Sequence, residues 1–339
     1  MTWHKPRSHL RGTVMFRIVA RFVGLCASTI APAAAQDAAK DFPNRTIHIV
    51  VPFPAGGPAD VAARLLAQRM NEDWGQPVIV ENRPGGNTVI GAQYVAKAAP
   101  NGYTLLMAID STLVMNPYLY KSLPYDPFSD FEPITTTTKT VSVLAVSGAN
   151  GPKSVQELIA KAKAAPGKLN YGAGTITAQL MGYRFHKAAG LDIVYVPFKG
   201  TPETVNGLLT GSVDVIYAAN VTVNPLVESG KVRALAKLDR RSPTSMANIP
   251  TLADAAGLPN LEDMSVWLGL VAPKGTPKPI IDKLQQKVAQ ILADPAMREK
   301  SERTGAYPMT STPQEFAVFL RQEAERWSKV LKETNIKFD

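Results

Sequence analysis

Two stretches of this 339-residue chain carry residues suited to holding an anion. The first is Phe53-Pro54-Ala55-Gly56-Gly57-Pro58-Ala59-Asp60, which follows a β-branched run at 46–52 and leads into helical apolar spacing at Val61, Leu65 and Leu66. Two glycines let backbone N–H groups approach a bound group closely, and a helix starting there aims the positive end of its dipole at it. A carboxylate can be held this way without Arg or Lys. The same residues also suit a tight turn in which Asp60 caps its own helix. The second stretch, Tyr171-Gly172-Ala173-Gly174-Thr175-Ile176-Thr177, again joins a strand to a helix. It partly imitates a dinucleotide fingerprint, with Asp192 downstream, but Thr177 stands where the third glycine belongs. Thr175 and Thr177 read better as hydroxyl donors and helix caps.

Other positions offer less. Asp110-Ser111-Thr112 follows a strand at 103–109, and Asn220 follows one ending at 218, so both suit a cleft at the carboxyl ends of strands or plain polar connections. Trp267 suits a cleft wall or a core. Arg184 and Lys199 can meet an acidic ligand, although solvated positions are the default. His48 and His186 have no partner at metal spacing and read as structural. There is no Gly-x-Ser-x-Gly elbow, Walker loop, His-Glu-x-x-His or cysteine pair, so no catalytic residue, metal or organic cofactor is expected.

The elements that must position these residues alternate strand and helix. Strands are expected at 46–52, 77–80, 103–109, 141–146, 169–171, 193–197, 213–218, 232–238 and 266–272, with helices between most of them. Residues 115–133 read as irregular. Ser154-Val155-Gln156-Glu157 and Thr312-Pro313-Gln314-Glu315 have capping-box spacing, and Thr201-Pro202 places a cap and then proline at a helix start. The first array has only about three strands, so the amphipathic C-terminal segment must return to complete it. The expected fold is α/β, with two lobes, a hinge and an interlobe cleft. Lobe 1 is discontinuous, 36–137 plus 249–339, and lobe 2 is the insertion 138–248.

The first 35 residues read as a signal peptide. Lys5, Arg7, Arg11, Arg17 and Arg21 precede or flank an apolar run at 22–30, and Ala33-Ala34-Ala35 offers a cleavage site; Met15 is an alternative start. The run is too short to span a bilayer, and Leu25 argues against lipidation of Cys26. Removing this segment takes five of the 37 Lys and Arg and none of the 28 Asp and Glu, so the formal charge falls from +9 to +4. It also removes the one cysteine, which excludes disulfides. The scattered basic residues are not a nucleic-acid footprint.

At these loops the chain resembles the Bug family, the periplasmic receptors of tripartite tricarboxylate transporters. The resemblance lies in residues 51–60 (VPFPAGGPAD), 80–87 (VENRPGGN), 99–106 (APNGYTLL), 116–120 (NPYLY), 123–127 (LPYDP), 196–200 (VPFKG), 230–236 (GKVRALA) and 269–277 (GLVAPKGTP). It covers essentially all of the chain beyond the signal. It implies a type II periplasmic binding protein that closes around an organic acid, such as a citrate-like or dicarboxylic acid, an amino acid or an aromatic carboxylate. The carboxylate subsite then falls on Phe53, Ala55, Gly56, Gly57, Ala59, Gly172, Gly174, Thr175 and Thr177, with Ser111, Thr112, Asn220 and Trp267 as candidates for the distal end. Asp60 is structural on this reading. Pro58-Ala59 replaces a commoner Gly-Thr or Pro-Thr, which removes one hydroxyl. The expected partners are a mono- or dicarboxylate and membrane transporter subunits, and a monomer is expected. A sensory receptor touching a membrane kinase and a secreted hydrolase or isomerase are the alternatives.

Overall fold

The strands form where β-branched and aliphatic runs alternate with turn residues. They are β1 (Ile47–Val51), β2 (Val78–Asn82), β3 (Thr104–Ile109), β4 (Phe131–Thr140), β5 (Ser142–Ser147), β6 (Asn170–Ala173), β7 (Val194–Pro197), β8 (Val215–Ala219), β9 (Val232–Lys237), β10 (Val266–Pro273) and β11 (Ala306–Pro308). The helices are α1 (Pro58–Trp74), α2 (Val89–Ala96), α3 (Asn116–Leu119), α4 (Val155–Ala164), α5 (Ile176–Ala189), α6 (Thr201–Leu209), α7 (Asn220–Glu228), α8 (Leu252–Ala256), α9 (Lys278–Ala293), α10 (Pro295–Arg303) and α11 (Pro313–Lys332). The computed structural model describes Met1 and residues 40–261, 266–303, 305–334 and 336–338. The expected signal peptide, Met1 apart, lies outside the described residues. The chain divides after Phe42, and the fold here is that of residues 43–339.

Two sheets give the molecule two lobes. The first has strand order β11-β4-β10-β3-β1-β2 and the second β7-β6-β8-β5-β9. In the first, β1 pairs parallel with β2 and β3, while β10 returns antiparallel between β3 and β4. The C-terminal segment thus completes the first sheet, as the shortage of strands there required. The chain changes sheet between Thr140 and Ser142, and again between β9 and β10. The Lys139 ammonium on β4 and the Asp239 carboxylate just after β9 form a 3.0 Å ion pair beside these crossings.

β4 corrects the sequence reading, which left 115–133 irregular and began the second array at 138. Its five threonines are polar by type, so no apolar alternation marks them, yet Thr135, Thr136 and Thr137 are fully buried. β-Branching favours the strand, and the hydroxyls of Thr135 and Thr136 donate to the backbone oxygen (2.8 Å) and Oγ (3.2 Å) of Ser311. Pro133 is accommodated because the register slips beside Val271, its β10 partner.

Ser154 and Thr312 cap their helices as the spacing indicated, whereas Thr201 does not: Gly200 is the N-cap there and Thr201 is the first helical residue. The Thr312 hydroxyl accepts from the Glu315 N–H, and Glu315 accepts from the Thr312 N–H at 2.8 Å, a complete box that starts α11. Phe316, Leu320, Ala324, Trp327 and Leu331 then recur at helical spacing and bury one face of α11 in the first lobe's core.

Candidate functional site

The loop after β1 is shaped by one carboxylate. Asp60, 3 % exposed, accepts from the Gly56 N–H at 2.9 Å, from Arg64 Nε at 3.0 Å and from Asn82 Nδ2 at 2.9 Å. Asn82 also donates to the Phe53 carbonyl at 3.0 Å. Burial pushes the Asp60 carboxyl up, but the three hydrogen bonds and the Arg64 charge together hold it below its usual range. Gly56 sits at φ +83°, where a side chain is strained. The loop delivers Gly57 as N-cap of α1, with Pro58 at the helix start.

The loop after β6 is shaped by close packing. A Cβ on Gly174 would overlap the carbonyl group of Gly200, so only glycine lets the two backbones meet. Thr175 is the N-cap of α5, and its hydroxyl accepts from the Ala178 N–H at 3.1 Å while keeping its own proton to donate. Gly200 is the N-cap of α6. The first lobe reaches this pair directly, since a Cβ on Gly200 would stand 3.1 Å from Pro54.

Between the loops lies a small cavity enclosing about 30 Å³, room for roughly two water-sized groups. Gly57, Thr175, Gly200 and Ala219 all wall it, and these are the N-caps of α1, α5, α6 and α7. Four helices therefore present their positive ends to one space, and among the described residues no charged side chain lines it. Ser142 and Thr201 add hydroxyls, and Phe53, Ile109, Tyr217 and Val266 add apolar wall. Behind that wall Tyr217 Oη meets His186 Nε2 at 3.0 Å. Burial lowers His186 to about 4, so it stays neutral. A second cavity of about 690 Å³ shares Phe53 and Thr175 and is lined by residues 84–88, Ser111, Gly174, Lys199 and Glu203, among others.

Of the expected site residues, Phe53, Gly57, Ala59, Ser111, Gly174 and Thr175 wall one or both cavities. Ala55 and Gly56 are exposed in the same turn, and Gly56 stands near Pro202 (3.8 Å from an added Cβ). The remaining residues sit behind the walls. Gly172 makes room for the Phe198 ring, which a Cβ would approach to 2.9 Å. The buried Thr112 hydroxyl donates to Thr88 Oγ1 at 3.0 Å. The Thr177 hydroxyl donates to Asp110 Oδ1 at 2.8 Å, a bond from the second lobe to the first. Asn220 is 1 % exposed and packed against Gly305. Trp267 is 2 % exposed, has its indole N–H on Glu323 at 2.9 Å, and packs edge-on to Phe316 and Phe319. Sequence reasoning missed Gly200 and Ala219 as site residues. The signal available was their place at strand-to-helix junctions.

Asp110, which the sequence offered to the cleft or to a polar connection, is turned into the interior. Its carboxyl is fully buried, with Oδ1 accepting from the Ser111 N–H at 2.6 Å as well as from Thr177, and Oδ2 without a hydrogen-bond partner among the described residues. Burial raises it to about 7, against the lowering effect of those hydrogen bonds.

Two α/β sheets with a cleft between their helix N-termini are the architecture of a two-lobed solute-binding protein. The chain belongs to the family described as tripartite tricarboxylate transporter family receptor, whose model matches residues 62–336. Protein BugT of Bordetella pertussis is 35% identical over 330 residues, covering 95% of this chain and 99% of BugT. Among solved structures, the R. palustris protein Rpa4515 with adipate is 33% identical with a TM-score of 0.83, covering 86% of this chain and 98% of that one. The periplasmic binding protein BugD is 32% identical with a TM-score of 0.82, covering 87% and 99%. MatC from Rhodopseudomonas palustris with bound malate is 31% identical with a TM-score of 0.78, covering 86% and 100%. The family resemblance and the two-lobed fold expected from the sequence are thereby shown. No helix among the described residues is long and apolar enough to cross a membrane.

Proposed function

We propose that this receptor works in the periplasm, captures a small organic carboxylate in the interlobe cleft, and delivers it to membrane transporter subunits as a non-enzymatic monomer. One observation carries the reading: the N-caps of four helices wall a cavity that no charged side chain lines among the described residues. Such a site favours an anion through N–H groups and helix dipoles, and it suits the two oxygens of a carboxylate head. Similarity to proteins seen with adipate and malate supports the same class. Lobe 1 comprises 36–137 and 249–339 and lobe 2 comprises 138–248, give or take the few residues of β4 that stay in the first sheet. The candidate ligand contacts are Phe53, Gly57, Ala59, Thr175 and Gly174, with Ser111 farther out. Binding draws the lobes together only by its preference for the shut state.

A thermal-shift panel of mono- and dicarboxylic acids tests this. A ligand at 100 times its dissociation constant adds about 2.7 kcal/mol, enough to raise the melting temperature by several degrees. A broad panel that leaves the melting temperature unmoved overturns the carboxylate class.

A further inference from the structure

We propose that Asp110 is a proton-operated latch between the lobes, its neutral carboxyl closing on Thr177 in the shut receptor and its carboxylate favouring the parted one. The inference rests on the lobe closure in the reading above and does not depend on which acid is captured. Asp110 follows β3, and its neighbours on either side, Ile109 and Ser111, wall the two cavities of the cleft. Its own side chain turns inward and caps the π-helical turn Ser111–Met115. That turn meets the start of α5 from the other lobe, for Leu113, Val114 and Met115 share one apolar cluster with Ile176 and Leu180. The Thr177 hydroxyl, from the same end of α5, donates to Asp110 Oδ1 at 2.8 Å and stands 3.9 Å from Met115 Sδ. A carboxyl group therefore sits inside an apolar contact that exists only while the lobes touch.

This setting favours the acid over its anion. Oδ1 has two donors, the Ser111 N–H and the Thr177 hydroxyl, whereas the buried Oδ2 has no hydrogen-bond partner among the described residues. A carboxylate would leave charge on that oxygen away from water, which burial opposes. Burial holds the carboxyl up at about 7 against the lowering effect of both hydrogen bonds. Nearby charge largely cancels. Glu323 of α11 raises the carboxyl and Arg326 lowers it, and these two bond each other at 2.7 and 2.9 Å. On α5, Tyr183 and Lys187 reach the Glu333 carbonyl, Arg184 interacts with Glu333 and Arg326, and His186 meets Tyr217. Lys139 of β4 pairs with Asp239, and Tyr125, kept neutral by burial, donates to the Thr112 carbonyl at 2.7 Å. β3, β10 and the π-helical turn carry no other ionisable side chain. Parting the lobes removes the Thr177 donor and lets water reach Oδ2, so the carboxyl returns toward its ordinary 3.8. The shut form thus binds the proton more tightly, and closure is fully supported below about pH 4 and loses that support as pH rises through 7. Between these limits closure is about tenfold more favourable at pH 6 than at pH 8.

Small-angle scattering of the empty receptor and calorimetry with adipate, each from pH 6 to pH 8, test the latch on the wild type, Asp110→Asn and Thr177→Val. The wild type is expected to gain in radius of gyration as pH rises, while its adipate dissociation constant increases about tenfold. Buffers of different ionisation enthalpy should show about half a proton taken up per adipate at pH 7. Asp110→Asn should abolish the proton uptake and both pH responses. Thr177→Val removes a donor that holds the carboxyl down, so its midpoint should move to higher pH, whereas a merely structural loss would weaken binding equally at both ends. A wild type whose size and affinity both ignore pH, a response that survives Asp110→Asn, or an unmoved midpoint in Thr177→Val overturns the latch. Failure of adipate to bind bears on the carboxylate reading alone, and the change of size with pH then decides the latch.

Discussion

In the first lobe the Gly56 turn is tied down by one carboxylate, with Asp60 gathering three donors at 2.9–3.0 Å. In the second lobe the Gly174 turn has no such anchor and lies against the backbone of Gly200. The two turns serve one cavity but answer to different physics. A polar hub tolerates added volume and fails when a partner is deleted. A backbone-to-backbone contact tolerates changes of charge and fails when any Cβ is added. A shared task does not impose a shared construction, because what the cavity needs is the position of helix ends.

The strongest break in this comparison is Gly174→Val. The side chain would enter the Gly200 carbonyl, which cannot move without shifting α6, and overpacking of this kind costs about 3 kcal/mol. Denaturant unfolding checks it; a wild-type midpoint would mean that the two backbones do not touch. Next is Asp60→Ala, which strands the Gly56, Arg64 and Asn82 donors and should lose about 2 kcal/mol, with Asp60→Asn intermediate. A smaller loss for Asp60→Ala than for a surface Asp→Ala control would remove the hub. Gly56→Ala comes third. Its nearest neighbour would be 3.8 Å away, so only the φ of +83° opposes it, at roughly 1.5 kcal/mol, and Gly56→Asn should recover part of that.

The smallest effect sharpens a buried hydroxyl bond joining the two sides, Thr177 to Asp110. Asp110 is raised to about 7 from its ordinary 3.8 chiefly by burial, with Glu323 and Arg326 of α11 acting in opposite senses. The folded state thus binds this proton more tightly than the unfolded chain. The stabilisation is complete below about pH 4 and is lost as pH rises through 7. Between pH 6 and 8 the stability should fall by roughly 1 kcal/mol, and Asp110→Asn should flatten that slope. An unchanged slope in the variant would assign it to another group.

Much of this was legible in the sequence, for local reasons. Thr312 and Glu315 announce a helix start by spacing alone, and the run at 47–51 ending in proline and glycine announces a strand and its turn. Gly57 and Thr175 could be named because a cap beside a glycine has a local signature. Gly200 and Ala219 could not, since a small residue looks the same in any turn until the sheet order brings its helix to the cavity. Thr112, Asn220 and Trp267 carried the opposite ambiguity. Their groups suit a cleft equally well, and only the arrival of Thr88, Gly305 and Glu323 from distant segments commits them to the interior. β4 was hidden because five threonines resemble a polar loop until Ser311, far along the chain, supplies hydroxyl partners.

The buried side chains of Ile176 and Leu180, at the start of α5, belong to the first lobe's core cluster alongside Leu113, Val114 and Met115. Parting the lobes would wet both aliphatic groups, at roughly 1.5–3 kcal/mol each. The contact between the lobes is therefore held by an aliphatic seam as well as by ligand contacts. A membrane partner that unloads the receptor must pry apart that oily seam, and weakening the carboxylate contacts alone would leave the jaws together.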